Sequence, residues 1–148
     1  MREVITLHFG GFGINMVPHV HQRHIEEADF DVDPHKFFEE TKGEGYKPRA
    51  VLADLDFESL ELFKNKSPLR DIFDPELMSL PDAYYDTNWS NEDYCEVLDK
   101  PIRRALERCD RFDGFVVFNS LSGNAGACLS SKLMSFTDNN CVKAPVMF

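Results

Sequence analysis

Residues 114–131 read Gly-Phe-Val-Val-Phe-Asn-Ser-Leu-Ser-Gly-Asn-Ala-Gly-Ala-Cys-Leu-Ser-Ser, and no other stretch constrains the fold as much. A short apolar run of β type, 115–118, enters a loop of small residues, and a helix-permissive segment follows. Strand, small-residue turn and helix start together make a phosphate-binding arrangement, because backbone N–H groups and the helix dipole point at an anion there. The loop is nevertheless poor in glycine for that task. Gly123 and Gly126 stand among Asn124, Ala125, Ala127 and Cys128. The pattern is that of a nucleotide site with part of its chemistry removed.

The rest of the chain supplies the frame around that loop. Residues 3–9 (Glu-Val-Ile-Thr-Leu-His-Phe) carry β-branched residues in partial alternation and predict a first strand. Gly10-Gly11-Phe12-Gly13 breaks it, and residues 14–27 predict a helix in which Pro18 is tolerated if the first turn starts near Val17. An acidic loop is expected over 28–35, an apolar knob over 37–41 and a turn over 43–48. Residues 49–55 (Arg-Ala-Val-Leu-Ala-Asp-Leu) predict a buried second strand. Asp56 then caps a short helix over 57–63, and 64–75 connect. Helical character returns over 91–109 after Ser90, with a kink at Pro101. A strand over 114–119, a helix over 126–136 and an apolar strand over 143–148 follow.

Alternating β and α segments imply a parallel sheet with crossover helices, an α/β layered fold. Ligands in such folds sit outside the carboxyl ends of the strands. Residues 10–13, 54–56 and 122–126 all fall at such ends, so three turns converge on one edge.

Composition narrows the class. A chain of 148 residues is one domain-sized unit, 1–148, able to bury roughly two-thirds of its unfolded surface. Its 43% hydrophobic content argues against global disorder. Sixteen Lys and Arg against 26 Asp and Glu give a net charge of −10, which disfavours nucleic acid or an anionic membrane as partner. No apolar run approaches the ~20 residues that span a bilayer. Cys95, Cys109, Cys128 and Cys141 show no Cys-x-x-Cys spacing, and the N-terminus shows no signal peptide, so reduced thiols in the cytosol are expected.

Several residues have a plain reading beside a functional one. His19, His21 and His24 share no ligand spacing with a Cys or carboxylate and read as a solvated helix face. Asp54 and Asp56 suit either metal coordination or capping, with capping the plainer choice. Cys128 reads as a small buried apolar residue, with a reactive thiol at a helix start as the other option. Phe12 could stack on a base or simply pack. Tyr84, Tyr85 and Trp89 could anchor an interface or pack locally.

Taken in order, these motifs resemble the N-terminal nucleotide-binding domain of the tubulins, the α type more than the β. Met1-Arg2-Glu3-Val4-Ile5, continuing through His8 and Gly10, is similar to the family's opening. Phe37-Phe38-Glu39-Glu40-Thr41, Pro48-Arg49-Ala50-Val51 and Asp54-Leu55 resemble an α-type segment. Phe73-Asp74-Pro75-Glu76 and Gly114-Phe115-Val116-Val117-Phe118-Asn119-Ser120 match two further motifs. The resemblance implies a Rossmann-like GTPase fold, a three-layer parallel sheet with helices on both faces. It also implies GTP or GDP with Mg2+ at a subunit boundary, and cytoplasmic assembly with protein subunits into the microtubule cytoskeleton.

The departures bear on function. The family's glycine loop Gly-Gly-Gly-Thr-Gly-Ser-Gly is matched by Ser122, Gly123, Asn124, Ala125, Gly126, Ala127 and Cys128. Two hydroxyls are missing at Ala125 and Ala127. At ~1.5–3 kcal/mol for each hydrogen bond to a charged group, their loss costs on the order of 10²–10⁴ in affinity. In the first loop, Gly-Gln-x-Gly-x-Gln is matched by Gly10, Gly11, Phe12, Gly13, Ile14 and Asn15, so one amide is gone and another is shortened. Pro81-Asp82-Ala83 keeps the third loop, Ser120 adjoins the glycine loop, and Asp56 stands where the α type has a glutamate in its metal shell. The family's ribose and base contacts, and the second domain that activates water, have no counterpart in these residues.

The reading is therefore a degenerate, non-hydrolysing structural subunit, with nucleotide binding weak or absent and no catalytic residue assigned. The alternative is a minimal GTP-binding module completed by a partner chain. Apolar surface is expected to be exposed around 115–118 and 146–148.

Overall fold

The computed structural model describes residues 2–28, 33–43, 45–79, 91–122, 124–140 and 142–148, with only the backbone described at Ala28, 91–97 and Asn124. Asp82, Gly123, Tyr84, Tyr85, Trp89, Ser90 and Cys141 lie outside the described residues.

Five strands form one parallel sheet in the order β5-β4-β1-β6-β7: β1 (Glu3–Phe9), β4 (Ala50–Ala53), β5 (Met78–Ser79), β6 (Phe112–Asn119) and β7 (Val146–Met147). The central strand β1 pairs Thr6 with Ala50 on one side and with Val116 on the other. All seven of its residues are buried, as expected for a middle strand covered on both faces. The charge in that strand has a partner. Glu3 accepts from the Arg49 guanidinium at 2.6 Å, with both side chains under a tenth exposed.

Helices cover both faces. α1 (Gly10–Ala28) and α2 (Phe57–Lys66) lie on one side, where Ile14, Val17, Leu60 and Phe63 meet Ala50 and Leu52. α3 (Asn91–Glu107) and α4 (Asn124–Asn139) lie on the other, where Leu98, Ile102, Leu129, Leu133 and Phe136 meet Ile5, Leu7, Phe9, Phe115 and Val117. This is the three-layer Rossmann-like arrangement.

Local differences from expectation have physical causes. The knob at 37–41 and the turn at 43–48 form an antiparallel hairpin, β2 (Phe38–Thr41) with β3 (Gly45–Pro48), turned where Gly43 adopts φ 87°. α1 begins at Gly10 with no break, because a helix start packed against β6 needs residues without a side chain. Asp56 does cap α2, accepting from the Glu58 N–H at 3.2 Å, and the helix runs on to Lys66. The apolar strand at 143–148 shortens to the two residues of β7. Phe115 and Val117 are buried under α3 and α4, contrary to the exposure expected there, while Met147 and Phe148 are 66% and 59% exposed. The histidine expectation holds only for the exposed His19. His21 is completely buried and His24 is half-buried. Cys109 is half-buried too, and burial pushes its thiol up to about 11.

Candidate functional site

From β1 the chain moves outward to β4 and β5, then crosses to β6 and β7 on the opposite side of β1. The order therefore reverses between β1 and β6, and a crevice opens at their carboxyl ends. α1 starts at Gly10 and α4 at Asn124, so two helix N-termini meet there. The first N–H groups of each helix have no partner within the helix.

The crevice holds about 320 Å³ and is lined by Phe9, Gly10, Gly11, Phe12, Ser120, Ser122, Ala125 and Gly126. It joins the first loop to the glycine-loop counterpart, as the sequence predicts. At Gly10, φ is 70°, and a Cβ would lie 3.4 Å from the Gly126 nitrogen, so the two loops touch backbone to backbone. Gly13 and Gly126 do a different job. A Cβ on Gly13 would run into the Phe118 carbonyl, and one on Gly126 would lie 2.5 Å from the Ser120 carbonyl. Both glycines let a helix press onto β6.

The polar side chains in the crevice are engaged with one another. Ser120 and Ser122 hydroxyls lie 2.8 Å apart, and Ser120 Oγ also accepts from the Ser122 N–H at 3.1 Å. Asn119 donates to the Gly126 carbonyl and to Ser130 Oγ at 2.8 Å, holding α4 to the strand end. Phe12 is 54% exposed and lines the crevice. Asn15 is exposed on α1 and does not belong to the lining.

Asp54 follows β4. Its Oδ1 accepts from the backbone of Leu55 at 2.7 Å and Asp56 at 3.3 Å, while Oδ2 is buried without a hydrogen-bond partner. Burial raises its pKa, against the backbone bonds and the nearby Ser59 hydroxyl, which lower it. Ser59 Oγ in turn lies 3.0 Å from where a Gly11 Cβ would be, which links this turn to the crevice. An orphaned carboxylate oxygen fits a hard, water-retaining cation held by one or two carboxylates. Asp56 has Oδ1 committed to its cap. Among the described residues no three His, Cys, Asp or Glu side chains are grouped to hold a metal, and no helix is long and apolar enough to cross a membrane.

Sequence reasoning missed a second polar feature, beneath the crevice. His8 Nδ1 lies 2.9 Å from the Gly13 carbonyl oxygen, and His21 lies against His8. The signal was present: Ile14, Val17 and His21 share one helical stripe, and that stripe is the buried face.

A doubly wound parallel sheet with two helix starts at its switch point defines a nucleotide-binding class of α/β domain. Residues 3–148 match the Tubulin/FtsZ family, GTPase domain, and the chain belongs to that family. It is 33% identical to the tubulin beta-1 chain of Colletotrichum graminicola over 106 residues, covering 67% of this chain and 23% of that one. With the tubulin beta-2 chain of Geotrichum candidum it shares 28% identity over 156 aligned positions, covering 91% and 34% respectively. The chain thus matches about a quarter to a third of the length of these relatives.

Proposed function

We propose that this chain is a tubulin-family subunit whose work is assembly with other protein subunits of the cytoplasmic cytoskeleton. In this reading GTP hydrolysis is lost and nucleotide is held weakly or not at all. The α-type character of residues 37–41 and 48–51 belongs to the same proposal. The observation that carries it is the pairing of Ser120 with Ser122: the crevice hydroxyls close the loop instead of standing open to a phosphate. Ala125 and Ala127 bring no further hydroxyls. Any bound phosphate would rely on the N–H groups at the starts of α1 and α4.

The second reading, a GTP module completed by a partner chain, is favoured by the orphaned Oδ2 of Asp54 and the exposed ring of Phe12. Asp54, with Asp56 beside it, would hold Mg2+. The ion would neutralise charge on a bound polyphosphate.

Calorimetric titration with GTP, GDP and Mg2+ tests the choice. A dissociation constant weaker than about 100 μM, under 6 kcal/mol of binding, is expected. Tight binding by the chain alone would reverse the ranking. The combined variant Gly11→Gln, Asn124→Gly, Ala125→Thr, Ala127→Ser and Cys128→Gly is expected to gain phosphate affinity without guanine selectivity. Micromolar, guanine-selective binding by that variant would put the GTP module first.

A further inference from the structure

Between β1 and α1 runs a line of polar groups that takes no part in the crevice lining. His8 Nδ1 is 2.9 Å from the Gly13 carbonyl, and His8 Nε2 is 3.3 Å from His21 Nε2. His21 Nε2 is 3.4 Å from Thr6 Oγ1, which donates to the Arg49 carbonyl at 3.4 Å. Both ends of this line are carbonyl oxygens, which only accept. His8 therefore carries its proton on Nδ1, and its Nε2 is a lone pair. Thr6 gives its proton to Arg49. His21 must then donate through Nε2, shared between His8 and Thr6, and its Nδ1 is left as a bare lone pair, buried without a partner.

Only this protonation state satisfies the line. A further proton on His8 Nε2 would set two N–H donors against each other at 3.3 Å. A further proton on His21 Nδ1 would create a buried cation among rings, where Phe73 and Phe38 stand edge-on at 5.1 and 6.2 Å. His8 is itself stacked on Phe118 of β6 at 4.9 Å. The titratable groups around the pair are His24 of α1, edge-on to His21 at 5.6 Å, with Glu27 and Lys36 beside His24. At the Thr6 end stands the Glu3–Arg49 ion pair. Among the described residues no carboxylate hydrogen-bonds either buried ring. Burial accordingly lowers His8 to about 4 and His21 well below its ordinary value.

We propose that the His8–His21 pair is a proton-triggered latch between β1 and α1, closed when both rings are neutral and released when either is protonated. The contact it controls is His8 Nε2 to His21 Nε2, which ties α1 at His21 to β1, while the Nδ1–H bond from His8 to the Gly13 carbonyl survives protonation of the ring. Releasing it frees α1 around His21 from the sheet, while the α3 and α4 side keeps its apolar packing. The latch does not depend on whether the crevice takes a nucleotide.

Hydrogen–deuterium exchange on the intact chain at pH 7 and pH 5, corrected for intrinsic exchange, tests it. Amides of β1 and of α1 around His21 are expected to lose protection about tenfold more than those of α4. Equal loss on both sides, or none, overturns the latch. His21→Leu, which removes one of the two titrating rings, is expected to reduce the loss of α1 protection at pH 5; a variant as acid-sensitive as the parent also overturns it. Should that variant not fold, nitrogen NMR of the unmodified protein gives an independent readout. At pH 7 a proton on His8 Nδ1 and His21 Nε2 supports the latch, and any other tautomer pair refutes it.

Discussion

The two faces of the sheet are built on different principles. Under α3 and α4, Ile5, Leu7, Phe9, Phe115 and Val117 join one apolar cluster with Leu98 and Ile102, with Leu129 and Leu133 fully buried above them. Under α1 and α2, the same central strand presents Thr6 and His8, and α1 answers with His21. Apolar contacts are non-directional and indifferent to pH, so the first face contributes stability without specifying fine geometry. Hydrogen-bonded imidazoles contribute less net free energy but accept one arrangement, so the second face specifies how α1 is seated. The chain thus separates strength from precision across one sheet.

The largest test of this contrast is Phe115→Ala. It should cost about 3–5 kcal/mol in urea unfolding, by the same amount at pH 5 and pH 8. A loss that varied with pH would mean that the two faces are not independent.

The pH dependence of the unmodified protein comes next. His8 titrates at about 4 when folded and near its ordinary 6.5 when unfolded. Between those values the unfolded chain binds a proton that the native state refuses, so stability falls as pH falls. The full difference is about 3 kcal/mol from His8, with more from His21 in the same direction. Above pH 6.5 neither ring contributes any slope. A flat profile from pH 7 to 5 would remove the distinction between the faces.

Gly126→Ala is expected to cost about 1–3 kcal/mol, because its methyl meets the Ser120 carbonyl. Thermal melts should show that loss at every pH. The smallest effect concerns Asp54: about 10 mM Mg2+ should stabilise the protein by roughly 1 kcal/mol if Oδ2 takes the ion. Asp54→Asn should abolish that response, and an unchanged response in the variant would dismiss Asp54 as a ligand.

Legibility followed the same divide. β1, β4 and β6 could be read because buried parallel strands leave continuous apolar runs, and the alternation of elements gave the layers. The crevice was legible through Gly10, Gly13, Ser122 and Gly126, since turns at strand ends must be small. The hairpin was not, because Phe-Glu-Glu-Thr and Gly-Tyr-Lys-Pro lack the β-branched character of a covered strand. His21 was misread because its polarity was given more weight than its spacing from Ile14 and Val17. The orphaned Oδ2 of Asp54 depends on how a turn folds back on itself, and no residue pattern announces it.

Strand order has a consequence for the ribosome. β1 leaves the exit tunnel before β4 and β6, yet it occupies the middle of the sheet, and Glu3 must wait for Phe112 before its second edge is paired. At about 5–20 residues per second, that edge stays open for roughly 5–20 seconds of synthesis. During that interval a strand of Val-Ile-Thr-Leu-His-Phe offers bare hydrogen-bonding groups to any neighbour. Slowing or speeding translation ahead of β6 should therefore change how much of the nascent chain is captured by chaperones, while leaving the finished molecule the same.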